Sequence, residues 1–279
     1  MKVITDIKEW QHIRNHLPND LKIGFVPTMG CLHQGHTSLI KNSVEKNNIT
    51  VLSVFINPTQ FNDPADYERY PKTLDTDIEM ARQLGVNYVI TPDIDSLYPN
   101  GNHLFLETDH PFSKIMEGQY RPGHFSGVLT IVMKLLVLIR ANNVYFGQKD
   151  YQQYFLIAEL IQNYFIQTDI NLCATIREAS GLPFSSRNTK LSTDERKTIE
   201  TFYEFFYRNH PHSLTQVIEK IAELKMTYDY LEVHNNRLFF ALRVGPIRII
   251  DNIADANLYI HTQNQQVYET MTGCDFDTM

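Results

Sequence analysis

The chain has 279 residues, of which 43% are hydrophobic and 20% are charged. These values are typical of a globular protein with room for one large or two modest domains, and they exclude a disordered chain. The formal net charge of −7 gives no basis for general binding to nucleic acids or membrane surfaces. Three cysteines without a CxxC pair, and no apolar signal-peptide core at the N-terminus, predict a reducing, cytoplasmic location.

Short apolar runs alternate with helical patterns through the first two-thirds of the chain. The predicted strands are residues 22–26, 49–56, 86–91, 143–146 and 169–175. The predicted helices between them are residues 36–47, 72–84, 127–140 and 150–164. This alternation predicts an α/β fold over residues 1–175, a Rossmann-like parallel sheet with helices on both faces.

The pattern changes from about Ile176 onward. Two helical patterns precede three strand-like runs, and the ranges are 193–208, 213–225, 229–234, 238–244 and 247–251. We expect these residues to form a smaller α+β domain, 176–279, that acts as a lid and carries a Ser-Ser-Arg loop.

A strand-to-helix turn carries the first chemical motif, Pro27-Thr28-Met29-Gly30-Cys31-Leu32-His33-Gln34-Gly35-His36. The free N–H groups at a helix N-terminus suit phosphate, and the two glycines allow the backbone to approach it. His33 and His36 can share one face of the helix and donate hydrogen bonds to phosphoryl oxygens in the transition state. Chance pairing among 11 histidines and a zinc site remain alternatives, although no third ligand stands at a recognisable spacing and we expect no bound metal of this kind.

The second motif is a loop, Leu182-Pro183-Phe184-Ser185-Ser186-Arg187-Asn188. Ser185 and Ser186 supply hydroxyls, and the planar guanidinium of Arg187 fits phosphate. Taken alone, such a string is a weak signal, because most strings of this kind form ordinary solvated loops.

A third segment repeats the strand–glycine–helix arrangement at Gly147-Gln148-Lys149-Asp150. Lys149 can act as a point charge toward phosphate, and Asp150 stands where a ribose hydroxyl or a helix N-cap needs an acceptor. Gln153, one turn into the helix, can reach the same cleft. The structural alternative is a plain N-cap at Asp150 and a solvated Lys149.

The fourth segment is an apolar strand that ends in Asn57-Pro58-Thr59-Gln60-Phe61. Because strand ends in open α/β sheets face the binding crevice, Gln60 can bind a hydroxyl or a carboxylate there. An ordinary strand exit is the alternative.

The connection 92–126, which contains Arg121 and His124, is long for a compact domain and favours a substrate-covering role.

In this order and spacing, the four segments resemble the pantothenate synthetase (pantoate–β-alanine ligase) family of the HxGH nucleotidyltransferase superfamily. His33-Gln34-Gly35-His36 is similar to the HxGH motif, and residues 184–187 stand at the position of a KMSKS-like loop. The likeness extends to three further strings, Tyr70-Pro71-Lys72-Thr73-Leu74, residues 117–125 and Arg248-Ile249-Ile250-Asp251-Asn252, and so covers about residues 1–252.

The resemblance implies a two-step reaction in a homodimeric enzyme. ATP and (R)-pantoate give pantoyl adenylate and pyrophosphate with magnesium, and β-alanine then attacks to give pantothenate and AMP. It implies ATP-binding residues at Met29, Gly30, Cys31, Leu32, His33, Gln34, Gly35, His36, Gly147, Gln148, Lys149, Asp150, Ile176, Phe184, Ser185, Ser186 and Arg187. It also implies that Gln60 and Gln153 hold pantoate and that His36 is the proton donor.

Three residues depart from the family pattern. Ser180 stands where aspartate is usual, Phe184 where methionine is usual and Cys31 where alanine is usual. None removes a phosphate donor, so we expect activity to survive them.

Two other functions remain open: a nucleotidyltransferase with a phosphate-bearing acceptor, and a catalytically silent nucleotide-binding protein. The retention of His33, His36, Lys149, Ser185, Ser186 and Arg187 together argues against the silent protein.

Overall fold

The computed structural model describes residues 1–99, 101, 104–208 and 213–254. They divide into two compact units. The first contains residues 1–176 and 184–186, and the second contains 177–183 and the chain from Arg187 onward. The C-terminal tail, residues 255–279, lies outside the described residues.

The first unit is built on a six-stranded parallel sheet. Its strands are β1 Lys2–Ile4, β2 Ile23–Thr28, β3 Ile49–Val54, β4 Tyr88–Ile90, β5 Asn143–Gly147 and β6 Asp169–Cys173, in the spatial order β1-β4-β3-β2-β5-β6. The predicted parallel α/β sheet is therefore confirmed. The order reverses direction between β2 and β5, which is the switch point where open α/β sheets bind ligands.

The ladders on the two sides of β2 differ in length. β2 pairs with β3 along its whole length, from Ile23 opposite Ile49 to Thr28 opposite Val54. Its ladder with β5 contains only Gly24 opposite Asn143 and Phe25 opposite Val144. The two central strands therefore separate at their carboxyl ends and leave a crevice between them.

Helices cover the sheet on both faces. They are α1 Ile7–His16, α2 Gln34–Lys46, α3 Pro64–Glu68, α4 Leu74–Gln83, α5 Ile94–Leu97, α6 Glu117–Tyr120, α7 His124–Ile139 and α8 Tyr151–Asn163. On one face, Val26 and Leu52 pack with Ile40 of α2 and Ala81 of α4. Successive strand residues point to opposite faces, so Phe25 faces the other helical layer, in which α7 contacts β2.

Two N-terminal elements, β1 and α1, are absent from the sequence prediction. The strand has only three residues, and the burial along α1 concentrates on Trp10, which is fully buried. The indole N–H of Trp10 donates to the carbonyl of Leu138 at 3.0 Å and so ties α1 to α7.

The second unit is α+β, as predicted. It contains α9 Thr193–Arg208, α10 Leu214–Glu223 and an antiparallel sheet of β7 Thr227–His234, β8 Arg237–Val244 and β9 Ile247–Ile253. Phe202, Phe206 and Phe240 are fully buried and pack together in its core.

Candidate active site

The turn between β2 and α2 has an unusual backbone. Gly30 and Cys31 both have positive φ, 79° and 51°. A Cβ at Gly30 would lie 2.9 Å from an oxygen of Asp77 and 3.0 Å from Val54, so this position requires glycine. The turn leads directly into the N-terminus of α2, which begins at Gln34.

Asp77 of α4 fixes this turn. Its two carboxylate oxygens accept the backbone N–H groups of Cys31 at 2.9 Å and Leu32 at 2.8 Å, and the Thr73 hydroxyl donates to it at 3.1 Å. Asp77 is only 2% exposed. Sequence reasoning missed this residue, although an acidic residue four positions before the buried Ala81 on one helix face was a usable signal.

His33 and His36 cap α2 reciprocally. The Nδ1 of His33 accepts the N–H of Gly35 at 3.2 Å, and the Nδ1 of His36 accepts the N–H of His33 at 3.3 Å. The two rings lie side by side, with centroids 4.0 Å apart. Because each Nδ1 faces a donor, the neutral rings carry their proton on Nε2, which makes no hydrogen bond to the described residues.

The surroundings keep both imidazoles neutral. Burial, and secondarily the positive charge of Lys149, lower the pKa of His33 from 6.5 to about 4, against a smaller raising effect of Asp150. Burial, then His33 and Lys149, hold the pKa of His36 well below its ordinary value. The site therefore presents two neutral Nε2–H donors at physiological pH.

The turn after β5 supplies the charged groups. Gln148–Asp150 form a short 3-10 helix, and the Lys149 ammonium lies 3.6 Å from the Asp150 carboxylate. Asp150 occupies the N-cap position of α8 but makes no side-chain capping bond. Asp150 is therefore the N-cap of α8 by position, without a side-chain capping hydrogen bond, and its carboxylate lies beside the Lys149 ammonium. The positive charge of Lys149 acts on both histidines of the first motif by lowering their pKa values.

Gln60 follows β3 in a 3-10 helix, Pro58–Gln60. The buried Asn57 donates to its Oε1 at 3.1 Å, and its Nε2 lies 3.0 Å from the sulfur of Met29 in the first motif. Asn57 itself accepts the hydroxyl of Tyr98 at 2.8 Å. This chain of contacts turns the amide NH₂ of Gln60 toward the turn between β2 and α2, for which we propose phosphate binding and which we call the phosphate turn. Asn57 was missed as a functional candidate because an Asn-Pro strand exit has an ordinary structural explanation.

The backbone of Gln60 is held from the opposite side. The carbonyl oxygen of Gln60 accepts a hydrogen bond from Arg121 Nη2 at 3.2 Å, and it lies 2.9 Å from Nδ1 of His124. Arg121 also donates to Nε2 of His124 at 3.0 Å and to the buried Glu117 at 3.3 Å. His124 therefore carries its proton on Nδ1, opposite to the tautomer of His33 and His36. Arg121 and His124, the two residues noted in the connection 92–126, therefore hold the backbone of Gln60 in place. That this connection covers the substrate stays a prediction.

The two glutamines at the start of α8 have different environments. Gln152 is buried and donates to the carbonyl of Ile115 at 3.0 Å. Gln153 is half-buried, and its side chain makes no hydrogen bond within the described part of the chain. Gln153 is thus the one that can bind a ligand.

The middle of the second motif, residues 184–186, belongs to the first unit. The N–H of Phe184 donates to the carbonyl of Ile176 at 3.1 Å, which joins two residues predicted to bind ATP. Ser185 is half-buried, and the Ser186 hydroxyl lies 3.3 Å from that of Tyr70. Arg187 belongs to the second unit.

In the second unit, a buried ion pair anchors the base of this loop. Arg177 donates to both oxygens of Asp251, at 2.5 and 3.0 Å, and the Tyr203 hydroxyl donates to the same carboxylate at 3.1 Å. Asn188 donates to the carbonyl of Pro183 at 2.9 Å and closes the loop from its other end. The sequence did not predict the pairing of Arg177 with Asp251, because the two residues are 74 positions apart.

The described residues, 1–99, 101, 104–208 and 213–254, bear on metal binding and on membrane spans through the side chains and helices that they contain. Within them, no cluster of three or more His, Cys, Asp or Glu side chains could hold a metal ion. No described helix is both long enough and apolar enough to span a bilayer.

Comparison with known proteins assigns the fold and site to one family. The sequence model of the pantoate–β-alanine ligase family matches residues 2–254. The chain belongs to the pantoate–β-alanine ligase family. The family resemblance of the four motifs is thereby confirmed, and the chain is an enzyme that ligates pantoate and β-alanine through an amide bond.

Individual pantoate–β-alanine ligases agree in sequence and structure. The pantothenate synthetase of Francisella tularensis subsp. mediasiatica is 43% identical over 252 residues, which are 90% of this chain and 97% of the relative. The crystal structure of the Francisella tularensis ligase complexed with β,γ ATP and β-alanine has a TM-score of 0.89 at 43% identity, covering 91% of this chain and 98% of that one. The pantothenate synthetase of Thermus thermophilus has a TM-score of 0.80 at 31% identity, with coverage of 91% and 99%.

Proposed function

We propose that the chain condenses (R)-pantoate with β-alanine through a pantoyl adenylate, consuming ATP and releasing pyrophosphate and AMP. The observation that carries this proposal is the pair of neutral Nε2–H groups of His33 and His36 beside Lys149, at the N-terminus of α2. Such a set of donors suits a reaction in which negative charge develops on phosphoryl oxygens.

In the first step, a carboxylate oxygen of pantoate bonds to the α-phosphorus of ATP. The bond from that phosphorus to the β-bridging oxygen breaks, and pyrophosphate leaves with the electron pair. His36 and His33 stabilise the charge on the reacting phosphate by hydrogen bonding, and Lys149 stabilises it as a point charge. Removing one donor of this kind costs about 10²–10³ in rate.

In the second step, the neutral amine of β-alanine attacks the acyl carbon of the adenylate. The bond from that carbon to the phosphate oxygen breaks, AMP leaves with the electron pair, and the nitrogen loses one proton. The fixed amide of Gln60 and the unengaged amide of Gln153 hold the pantoyl group through its hydroxyl and carboxyl oxygens. Exclusion of water protects the acyl phosphate between the steps.

The remaining ATP contacts follow the sequence motifs. The residues assigned are Met29 to His36, Gly147 to Asp150, Ile176, Phe184, Ser185, Ser186 and Arg187. Asp150 supports a ribose contact because its carboxylate caps no helix. Magnesium enters as part of the MgATP substrate and keeps most of its water ligands, a mode that needs few protein carboxylates.

We also propose that the enzyme is a cytoplasmic homodimer whose second, smaller domain acts as a lid. The family resemblance supports the dimer, and exposed apolar side chains such as Leu104 and Phe165, each 83% exposed, offer surface that a second copy could cover. Analytical ultracentrifugation of the purified chain measures this directly, and a monomer at micromolar concentration would contradict the dimer.

Isotope exchange tests the reaction. Labelled pyrophosphate should enter ATP only when (R)-pantoate is present, and added β-alanine should yield pantothenate detectable by mass spectrometry. Exchange without pantoate would favour another HxGH nucleotidyltransferase. Absence of any nucleotide turnover would favour a silent nucleotide-binding protein.

A further inference from the structure

Tyr70 connects two parts of the site that are far apart in sequence. It lies between α3 and α4, is 6% exposed, and places its hydroxyl 3.3 Å from the hydroxyl of Ser186. The two residues are separated by 116 positions. A buried phenol hydroxyl is stable only with a hydrogen-bond partner, so this contact constrains both side chains.

The ring of Tyr70 contacts the pantoate side of the site. It packs edge-on against Phe61, with centroids 5.7 Å apart and an interplanar angle of 77°. Phe61 immediately follows Gln60, and its backbone N–H donates to Pro58 at 3.2 Å to close the 3-10 turn that carries Gln60. A displacement of this turn is therefore transmitted to the Tyr70 ring by direct contact.

We infer that Tyr70 is a positioning residue that couples pantoate at Gln60 to ATP at the Ser185–Ser186 loop. The inference rests on the proposed roles of these two segments. Tyr70 has only two side-chain torsions, and its ring is clamped, so its hydroxyl holds the Ser186 hydroxyl in one orientation. Bound pantoate favours the same arrangement through Phe61. By linkage, each substrate then tightens the binding of the other by the same factor.

The chain offers a matched control for this role. Tyr67 packs on the same Phe61 ring, with centroids 5.4 Å apart at an angle of 68°, but it has no bond to Ser186. Tyr70→Phe removes only the hydroxyl and keeps the ring contact, whereas Tyr67→Phe removes a hydroxyl of the same kind without touching the loop. Both substitutions leave the packing against Phe61 unchanged, so folding is preserved.

Calorimetry with a non-hydrolysable ATP analogue, with and without pantoate, measures the coupling. Wild type should bind the analogue more tightly when pantoate is present, and Tyr70→Phe should lose most of this gain and bind about 5- to 10-fold more weakly, as expected for one neutral hydrogen bond. Tyr67→Phe should behave as wild type. Equal coupling in Tyr70→Phe and wild type would overturn the inference, as would an equal loss in Tyr67→Phe.

A double-mutant cycle tests whether Tyr70 acts through Ser186. The variants are Tyr70→Phe, Ser186→Ala and their combination, and the readout is the KM for ATP against kcat in pantoate-dependent exchange. The double variant should be no worse than Ser186→Ala alone, with the Tyr70→Phe effect confined to KM. The coupling would be contradicted if the effects of the two single substitutions on KM multiplied in the double variant. It would also be contradicted if Tyr70→Phe changed the thermal stability but not the KM for ATP. If wild type shows no exchange at all, the proposed function fails, and the calorimetric comparison still decides the role of Tyr70.

Discussion

The Nδ1 of His36 accepts the backbone N–H of His33 at 3.3 Å, while His33 in turn caps the N–H of Gly35. One pair of side chains thus performs two tasks, closing the first turn of α2 and presenting two Nε2–H donors. Rotation of either ring would break a helix cap, so the orientation of both imidazoles is stabilised by the folding of the helix itself.

We expect both rings to remain neutral over the physiological range. In the free enzyme, His33 should titrate near the pKa of about 4 set by burial and Lys149, and His36 should titrate below its ordinary 6.5. The unfolded chain binds protons at these sites from pH 6.5 downward while the native protein does not, so stability is lost as pH falls below about 6.5. Imidazole NMR signals, identified with His33→Gln and His36→Gln variants, measure this, and midpoints near 6.5 would contradict it.

Loss of the His36 imidazole should slow adenylation. His36→Ala is expected to lower pantoate-dependent pyrophosphate exchange by about 10²–10³, the cost of one transition-state donor. Binding of preformed pantoyl adenylate should weaken less. His16→Ala, on the exposed surface of α1, is the control and should retain normal exchange. Near-normal exchange in folded His36→Ala would disprove the assigned role.

Asp77 should be needed for the shape of the phosphate turn. Asp77→Asn replaces one of two acceptors with an NH₂ group that faces a backbone donor, and we expect a loss of about 1–3 kcal/mol in stability together with a raised KM for ATP. Asp75→Asn, an exposed residue in the same helix, should change neither. Thermal unfolding and exchange kinetics on the same preparations test this, and an unchanged KM for Asp77→Asn would rule out the positioning role.

Alkylation of Cys31 should inactivate the enzyme by blocking the phosphate turn. The side chain is partly exposed, and the backbone around it is fixed by Asp77. ATP should protect against the reagent, and Cys31→Ala should remain active and become resistant, because the thiol takes part in neither step. Mass spectrometry locates the label. A folded but inactive Cys31→Ala would show that the thiol has a further role.

Lys149 should affect both ATP binding and the histidines. Removal of one charged phosphate contact costs about 1.5–3 kcal/mol, so Lys149→Ala should lower kcat/KM for ATP by about 10- to 150-fold. The pKa of His33 should rise, because Lys149 lowers it in the native protein. Lys41→Ala, exposed on α2, is the matched control. An unchanged His33 titration in Lys149→Ala would place the ammonium away from the imidazoles.

The sequence predicted the α/β sheet because strand and helix patterns alternate and the central strands β2 and β3 are strongly apolar. It predicted neither β1, which has only three residues, nor α1, in which Trp10 is the one buried residue and the apolar periodicity is weak. His33, Lys149 and Gln60 were found because they follow strand ends. Asp77 was not found, because it acts on backbone groups more than 40 positions away and sequence spacing does not reveal such contacts. Asn57 was not found, because an Asn-Pro strand exit already has an ordinary structural explanation.

The separation of β2 from β5 after Phe25 and Val144 has a consequence for variation in this enzyme. Beyond that point β2 stays paired with β3 and β5 with β6, but the main-chain edges of β2 and β5 that face each other form no ladder and line the crevice in which we propose that the nucleotide binds. Recognition by the peptide backbone is insensitive to side-chain replacement. We therefore expect residues such as Cys31 and Phe184 to drift among relatives while the nucleotide is still bound, and inhibitors that use these main-chain groups to be hard to escape by substitution.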